Sequence, residues 1–243
     1  MIYHAYKPGY SVLPQLKKIE IKDIFQISNN LNRYLEEKKI SIKNQKCFLE
    51  HNITDEIYKA ACDFIITNYP VKLEEPYDFC NIAMQIQEDL AIHRLDENTD
   101  WLAVTHICCP SSWSPEEKIG ESFDKIHEVI PGMSLKNSRK LIEAMTSGVY
   151  ERYVWGLIYE NELNYHPSII RKGFDRLNPQ FWVKVERQIM VGLSEYKSLL
   201  FILKQTLIPE DEVDKPLLRN ALVGMTNEQK RYKSISEDLI EYL

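Results

Sequence analysis

The sequence predicts an α+β fold in which an antiparallel sheet is covered by helices from both ends of the chain. Three observations lead there. Residues 1–95 carry apolar positions at helical spacing, a central stretch alternates with the period of strands, and 208–243 returns to helical spacing. No repeat, low-complexity or linker-like stretch interrupts the chain. One domain over 1–243 is expected, with a helical layer at 1–95, a sheet core at 96–207 and closing helices at 208–243.

The first helix is expected at 21–39, where Ile24, Phe25, Ile27, Leu31 and Tyr34 recur at helical spacing above a charged rear. Thr54 supplies a hydroxyl cap for a second at 55–69, whose inward stripe is Ile57, Ala60, Ala61, Phe64 and Ile65, and Pro70 ends it. A third is expected over 77–93. Past Asp100, Trp101-Leu-Ala-Val-Thr-His-Ile-Cys-Cys109 is rich in aromatic and β-branched residues and stops at Pro110, as a strand would. Ser114-Pro115-Glu116-Glu117 combines a cap, a proline in the first turn and acids at the positive end of the helix dipole, so a helix is expected up to Pro131-Gly132. Ser134 opens another through Met145, with Gly148 placed to end it. Strands are then predicted at 149–159, 181–193 and 196–207, the last two joined by a Gly192-Leu-Ser-Glu195 turn, and helices at 209–225 and 226–243.

The 243 residues hold 30 Lys and Arg against 36 Asp and Glu, a net charge of −6 with the signs interspersed. Duplex nucleic acid is not an expected partner, because phosphate binding wants a concentrated basic stripe. Apolar stretches such as Ser198-Leu-Leu-Phe-Ile-Leu203 fall far short of the roughly 20 residues of a membrane span. The first nine residues lack the apolar run of a secretory signal, so a cytoplasmic location is expected. Of the five cysteines, Cys47, Cys62, Cys80, Cys108 and Cys109, none forms a C-x-x-C pair, and reduced, mostly buried thiols are expected.

No phosphate loop, dinucleotide fingerprint, nucleophile elbow or zinc-protease motif occurs. What stands out is charge inside apolar strands. Arg187 shares a face with Val183, Val185 and Ile189, while Glu186 shares the other with Trp182 and Met190, so at least one charge points into packed surroundings. A buried charge needs an opposite charge, a metal or a ligand group, which makes both residues site candidates. His127, near a helix end before a proline turn, is a candidate for contact with a cofactor, and His106, on a face with Leu102 and Val104, is its rival.

Five short motifs in order carry a resemblance: Gln85-Ile-Gln-Glu-Asp-Leu90; Cys108-Cys-Pro-Ser-Ser-Trp113; Glu117-Lys-Ile-Gly120 with Ile126-His127; Ile130-Pro-Gly132; and Val185-Glu-Arg-Gln188. Over about 73–207 the chain resembles the haem-dependent oxidative N-demethylase family. The resemblance implies a PAS-like antiparallel sheet holding one haem b. It implies O2 activation with electrons from a flavin-containing reductase or ferredoxin in trans, and oxidation of an N-alkyl amine or related nitrogen-containing small molecule. Carried over position by position, it makes His127 the axial ligand; His106, where the family pattern has no histidine, ranks second, and a weak sulfur donor such as Cys108 or an open position with water is also compatible with the motifs. It sets Lys118, Arg152 and Arg187 against the propionates, with Trp113 and Trp155 as walls, and leaves Glu186 to hold a cationic amine.

The match has departures. The family's Arg-x-Asn-Trp element reads Arg152-Tyr-Val-Trp155, its threonine after Glu-Arg-Gln is Ile189, and the turn reads Glu128-Val-Ile-Pro131. These losses of polar groups keep two alternatives in view: a haem protein that senses or carries a gas, and a haem-free member of the fold.

Overall fold

The computed structural model describes residues 6, 12, 15–134 and 136–243. Most of the segment read for a secretory signal, and Leu135 inside the expected 134–145 helix, lie outside the described residues. Among the described residues, seven strands form one sheet: β1 (Lys17–Lys18), β2 (Phe48–Glu50), β3 (Asp89–Leu95), β4 (Asp100–His106), β5 (Val149–Ile158), β6 (Trp182–Leu193) and β7 (Ser198–Pro209). Their order is β1-β5-β6-β7-β3-β4-β2, and every neighbouring pair is antiparallel. With the helices around it, this is the α+β class expected.

The helices are α1 (Leu31–Asn44), α2 (Asp55–Asn68), α3 (Phe79–Gln85), α4 (Phe123–His127), α5 (Ser138–Met145), α6 (Lys215–Val223), α7 (Asn227–Tyr232) and α8 (Glu237–Tyr242). Several differ from the sequence expectation for local reasons. The 21–39 helix shrinks to a 3₁₀ turn at Ile21–Asp23, because Ser28, tied by its amide and hydroxyl to Gln87 Oε1, and Asn29-Asn30 postpone α1 to Leu31. The 77–93 helix stops at Gln85, and 89–95 is a strand. Leu90 and Ile92 pack against α2 and α3 while Ala91 and His93 pack on the opposite face, so both faces are buried and no polar alternation marks the strand. Residues 1–95 therefore contribute strands as well as helices.

The helix expected up to Pro131 breaks at Gly120, whose φ of +80° is natural only without a side chain, and whose amide donates to Leu102 O. The chain then turns into the short α4, capped by Ser122, whose Oγ accepts from Lys125 N. The last expected helix divides into α7 and α8 at Ser234, in the left-handed region at φ +53°, and each half has its own hydroxyl cap, Thr226 and Ser236. The β6–β7 turn also moves on by two residues. Gly192 and Leu193 still pair in the strand, and the reversal is made by a 3₁₀ turn at Ser194–Tyr196 with Lys197 left-handed.

Helices cover both faces of the sheet. On one, Ile189, Val191, Leu200 and Ile202 pack with α2, α3 and Phe25, and further along Val183 and Val185 pack with α6 and α8. On the other, Met190, Leu199 and Phe201 meet α4 and α5, while Leu102 and Leu203 meet Trp113, Ile119 and Ile126. The end of α5 lies so close to β6 that a Cβ on Gly192 would stand 2.1 Å from Thr146 O. That contact presses α5 against the strand that carries the candidate site.

Candidate functional site

The second face holds a cleft lined by Phe123 and His127 of α4, Met145 of α5, Arg152 of β5, Gln188 and Met190 of β6, and Phe201 of β7. His127 is the last residue of α4, and its Nδ1 lies 2.8 Å from the Phe123 carbonyl. A carbonyl only accepts, so Nδ1 carries the proton and the lone pair sits on Nε2. Burial, followed by the Arg152, His93 and Lys118 charges and against the pull of the Phe123 carbonyl, holds the imidazole's pKa down to about 4. It is neutral at pH 7. The Phe123 ring lies against it at 4.0 Å between centroids, tilted by 30°.

Two cations border this imidazole. Arg152 Nε donates to Gln188 Oε1 at 2.7 Å, its register partner across β5 and β6, and Lys118 Nζ donates to Ile126 O at 3.3 Å. Trp113 packs with Ile119 and Ile126 over Leu102 and Leu203 on the same face. The structure thus places Arg152 and Lys118 beside His127, with Trp113 farther along the same face.

Other candidates lie elsewhere. Arg187 points to the opposite face, where Nε and Nη2 donate to Glu151 Oε2 at 3.0 and 2.9 Å, and Nη1 and Nη2 to the carbonyls of Ile24 and Asp23 at 2.7 and 2.6 Å. Four hydrogen bonds occupy it, so it cannot face a propionate at the cleft. Trp155 is also on that face, edge-on to Tyr6 at 5.9 Å and beneath Lys233, so it is no wall of the cleft. His106 faces Leu90 and Phe48, fully buried, and burial holds its pKa down to about 3. Cys108 has its Sγ 3.8 Å from His106 Nδ1 and is buried in another cluster. Neither reaches the His127 cleft.

Glu186 shares the cleft's face but lies behind it. Its carboxylate accepts from Ser111 Oγ at 3.1 Å, Gln205 Nε2 at 3.1 Å and Gln188 Nε2 at 2.5 Å. Those donors fill the role expected of a substrate amine, and they link Glu186 through Gln188 to Arg152. Sequence reasoning missed Gln188 as the centre of this relay, and also His93 and Asp100 beneath α4. The signal for Gln188 was its place two residues from Glu186 on one strand face; His93 was hidden by the helix expected over 77–93.

A haem is implied by the resemblance, and the donor set fits it: a neutral imidazole with a fixed tautomer, apolar Met and Phe walls, and two cations. The free volume is about 30 Å³, far below the roughly 300–1,000 Å³ of a ligand pocket, so the cleft as folded is too small for a macrocycle. Among the described residues no group of three or more His, Cys, Asp or Glu comes together as a metal site, and no helix is long and apolar enough to cross a membrane. A family model described as "Haem-dependent oxidative N-demethylase, alpha subunit-like" matches residues 72–239, well over half of the chain. Comparison with curated proteins finds no match.

Proposed function

Because the chain belongs to the haem-dependent oxidative N-demethylase, alpha subunit-like family, we propose that it is a haem-dependent oxidoreductase acting on the N-alkyl group of a small amine. O2 is the oxidant, and a flavin-containing reductase or ferredoxin in trans is the electron source. One observation carries the reading: His127 is held by its Nδ1–H on the Phe123 carbonyl, neutral, with Nε2 available at an apolar cleft bordered by cations.

A bound haem b supplies an iron centre at which O2 is activated. His127 would hold the iron through Nε2, and the hydrogen bond at Nδ1 would fix the ring and raise its basicity. Arg152 and Lys118 would neutralise the propionates. Gln188 aims Arg152, and Glu186 holds Gln188 in turn, so Glu186 acts as a positioning group two hydrogen bonds from the cleft. Phe123, Met145, Met190 and Phe201 exclude water and offer an apolar surface to an alkyl group.

The test supplies haem-loaded protein with a flavin-containing reductase, reduced nicotinamide and a panel of N-methylated amines, and measures formaldehyde. Release that depends on O2 and is lost in His127→Ala is expected. A loaded, reducible protein that releases no formaldehyde from any of the amines would overturn the N-demethylase assignment.

A further inference from the structure

The segment that carries His127 has little to hold it: α4 is five residues long and comes after a glycine break. Besides the Ser122 cap, one carboxylate grips its start. Asp100, the first residue of β4, accepts at a single oxygen, Oδ2, from the Phe123 amide at 2.7 Å and from His93 Nε2 at 2.6 Å. Phe123 is the first residue of α4, and its own carbonyl is the one that accepts from His127 Nδ1. Phe123 is therefore fixed at its amide by Asp100 and fixes the imidazole with its carbonyl. Its ring extends the same chain, edge-on to His93 at 6.2 Å and against His127 at 4.0 Å.

The sheet supplies the rigid end of this arrangement. A register shift between Ile92 and His93 re-aims β3, and His93, 2 % exposed, comes to lie across the hairpin from Leu102, two residues beyond Asp100. A carboxylate with two donors on one oxygen is held in one rotamer, and a charged acceptor gives the Phe123 amide a stronger hydrogen bond than a neutral one would.

We infer that Asp100, buttressed by His93, is a positioning residue that fixes the tautomer and orientation of His127 through the backbone of Phe123. The inference rests on the reading of His127 as the iron ligand for its purpose, but the hydrogen-bonded chain can be tested without haem.

The test uses the full-length, ¹⁵N-labelled, cofactor-free protein and long-range proton–nitrogen NMR of the imidazoles, with the His127 signals assigned by their loss in His127→Ala. Wild type should show one tautomer, protonated at Nδ1. In Asp100→Ala, His127 should average between tautomers, and the Phe123 amide should exchange at least about tenfold faster, since hydrogen bonds to charged groups contribute about 1.5–3 kcal/mol. A folded Asp100→Ala protein in which His127 keeps the pure Nδ1–H tautomer overturns the inference. Should Asp100→Ala not fold, Asp100→Asn decides: the tautomer should be kept, with Phe123 amide exchange several-fold faster, and an unchanged rate overturns the inference.

Hemin then tests the underlying reading separately. If hemin gives the same spectrum with wild type and His127→Ala, His127 is not the ligand, whatever the NMR shows. If His127→Ala alone abolishes the wild-type spectrum, hemin should leave Asp100→Ala about tenfold faster than wild type, as expected when a group behind a metal ligand is removed.

Discussion

Arg152 and Arg187 stand on paired strands one register position apart, since Arg152 lies opposite Gln188 and Arg187 opposite Tyr153. Strand alternation sends them to opposite faces, and their surroundings differ accordingly. Arg187 is 8 % exposed, with its guanidinium closed in by Glu151 and two backbone carbonyls. Arg152 lines a cleft beside a neutral imidazole, aimed by Gln188. The same residue type ties helical cover to the sheet on one face and borders a cleft on the other.

The comparison breaks most visibly at Arg187. Arg187→Ala leaves the buried Glu151 carboxylate with the more distant Lys17 at 3.6 Å and the Tyr153 hydroxyl at 3.4 Å, which should cost about 3 kcal/mol or more in urea denaturation, while the hemin spectrum of the folded fraction stays that of wild type. A changed hemin spectrum would place Arg187 at the site after all.

The two histidines sharpen the contrast through acid stability. His106 titrates near 6.5 when unfolded but is held down to about 3 in the fold by burial, so the unfolded chain binds the proton first. Its effect is absent above about pH 6.5, grows as the pH falls, and levels off below about 3, destabilising by up to about 5 kcal/mol. The difference in stability between wild type and His106→Leu should therefore shift against wild type across that window. A pH-independent difference would contradict the burial argument.

Gly192→Ala tests the contact that presses α5 on the cleft. Its Cβ would meet Thr146 O at 2.1 Å, so backbone must shift, at a cost of about 1–3 kcal/mol in thermal or urea unfolding. Arg152→Ala should be the mildest for the fold, within about 1 kcal/mol, yet should lower hemin affinity about tenfold. Equal hemin affinity in the two proteins would remove Arg152 from the site.

The strands at β4 to β7 were legible because alternation and turn residues agree there, and that same alternation foretold Arg187 on a face with Val183, Val185 and Ile189. β3 was not legible: it is buried on both faces, and an apolar run without polar alternation reads equally as helix. For the site, the resemblance pointed to His127, but which face of the sheet would hold the cleft depends on where α4 and α5 fold back. That is decided by long-range contacts such as Asp100 to Phe123 and Gly192 to Thr146, which no local pattern carries. Glu186 was read from its charge alone, and its three donors come from β6 itself, from β7 and from the Ser111 loop.

The central claim, that His127 presents its Nε2 to an iron at this cleft, is tested most directly by titrating hemin into wild type, His127→Ala and His106→Ala and recording the Soret band. The account predicts saturable binding in wild type and His106→Ala, with the band shifted or lost in His127→Ala alone. A band unchanged in His127→Ala, or lost only in His106→Ala, would contradict it.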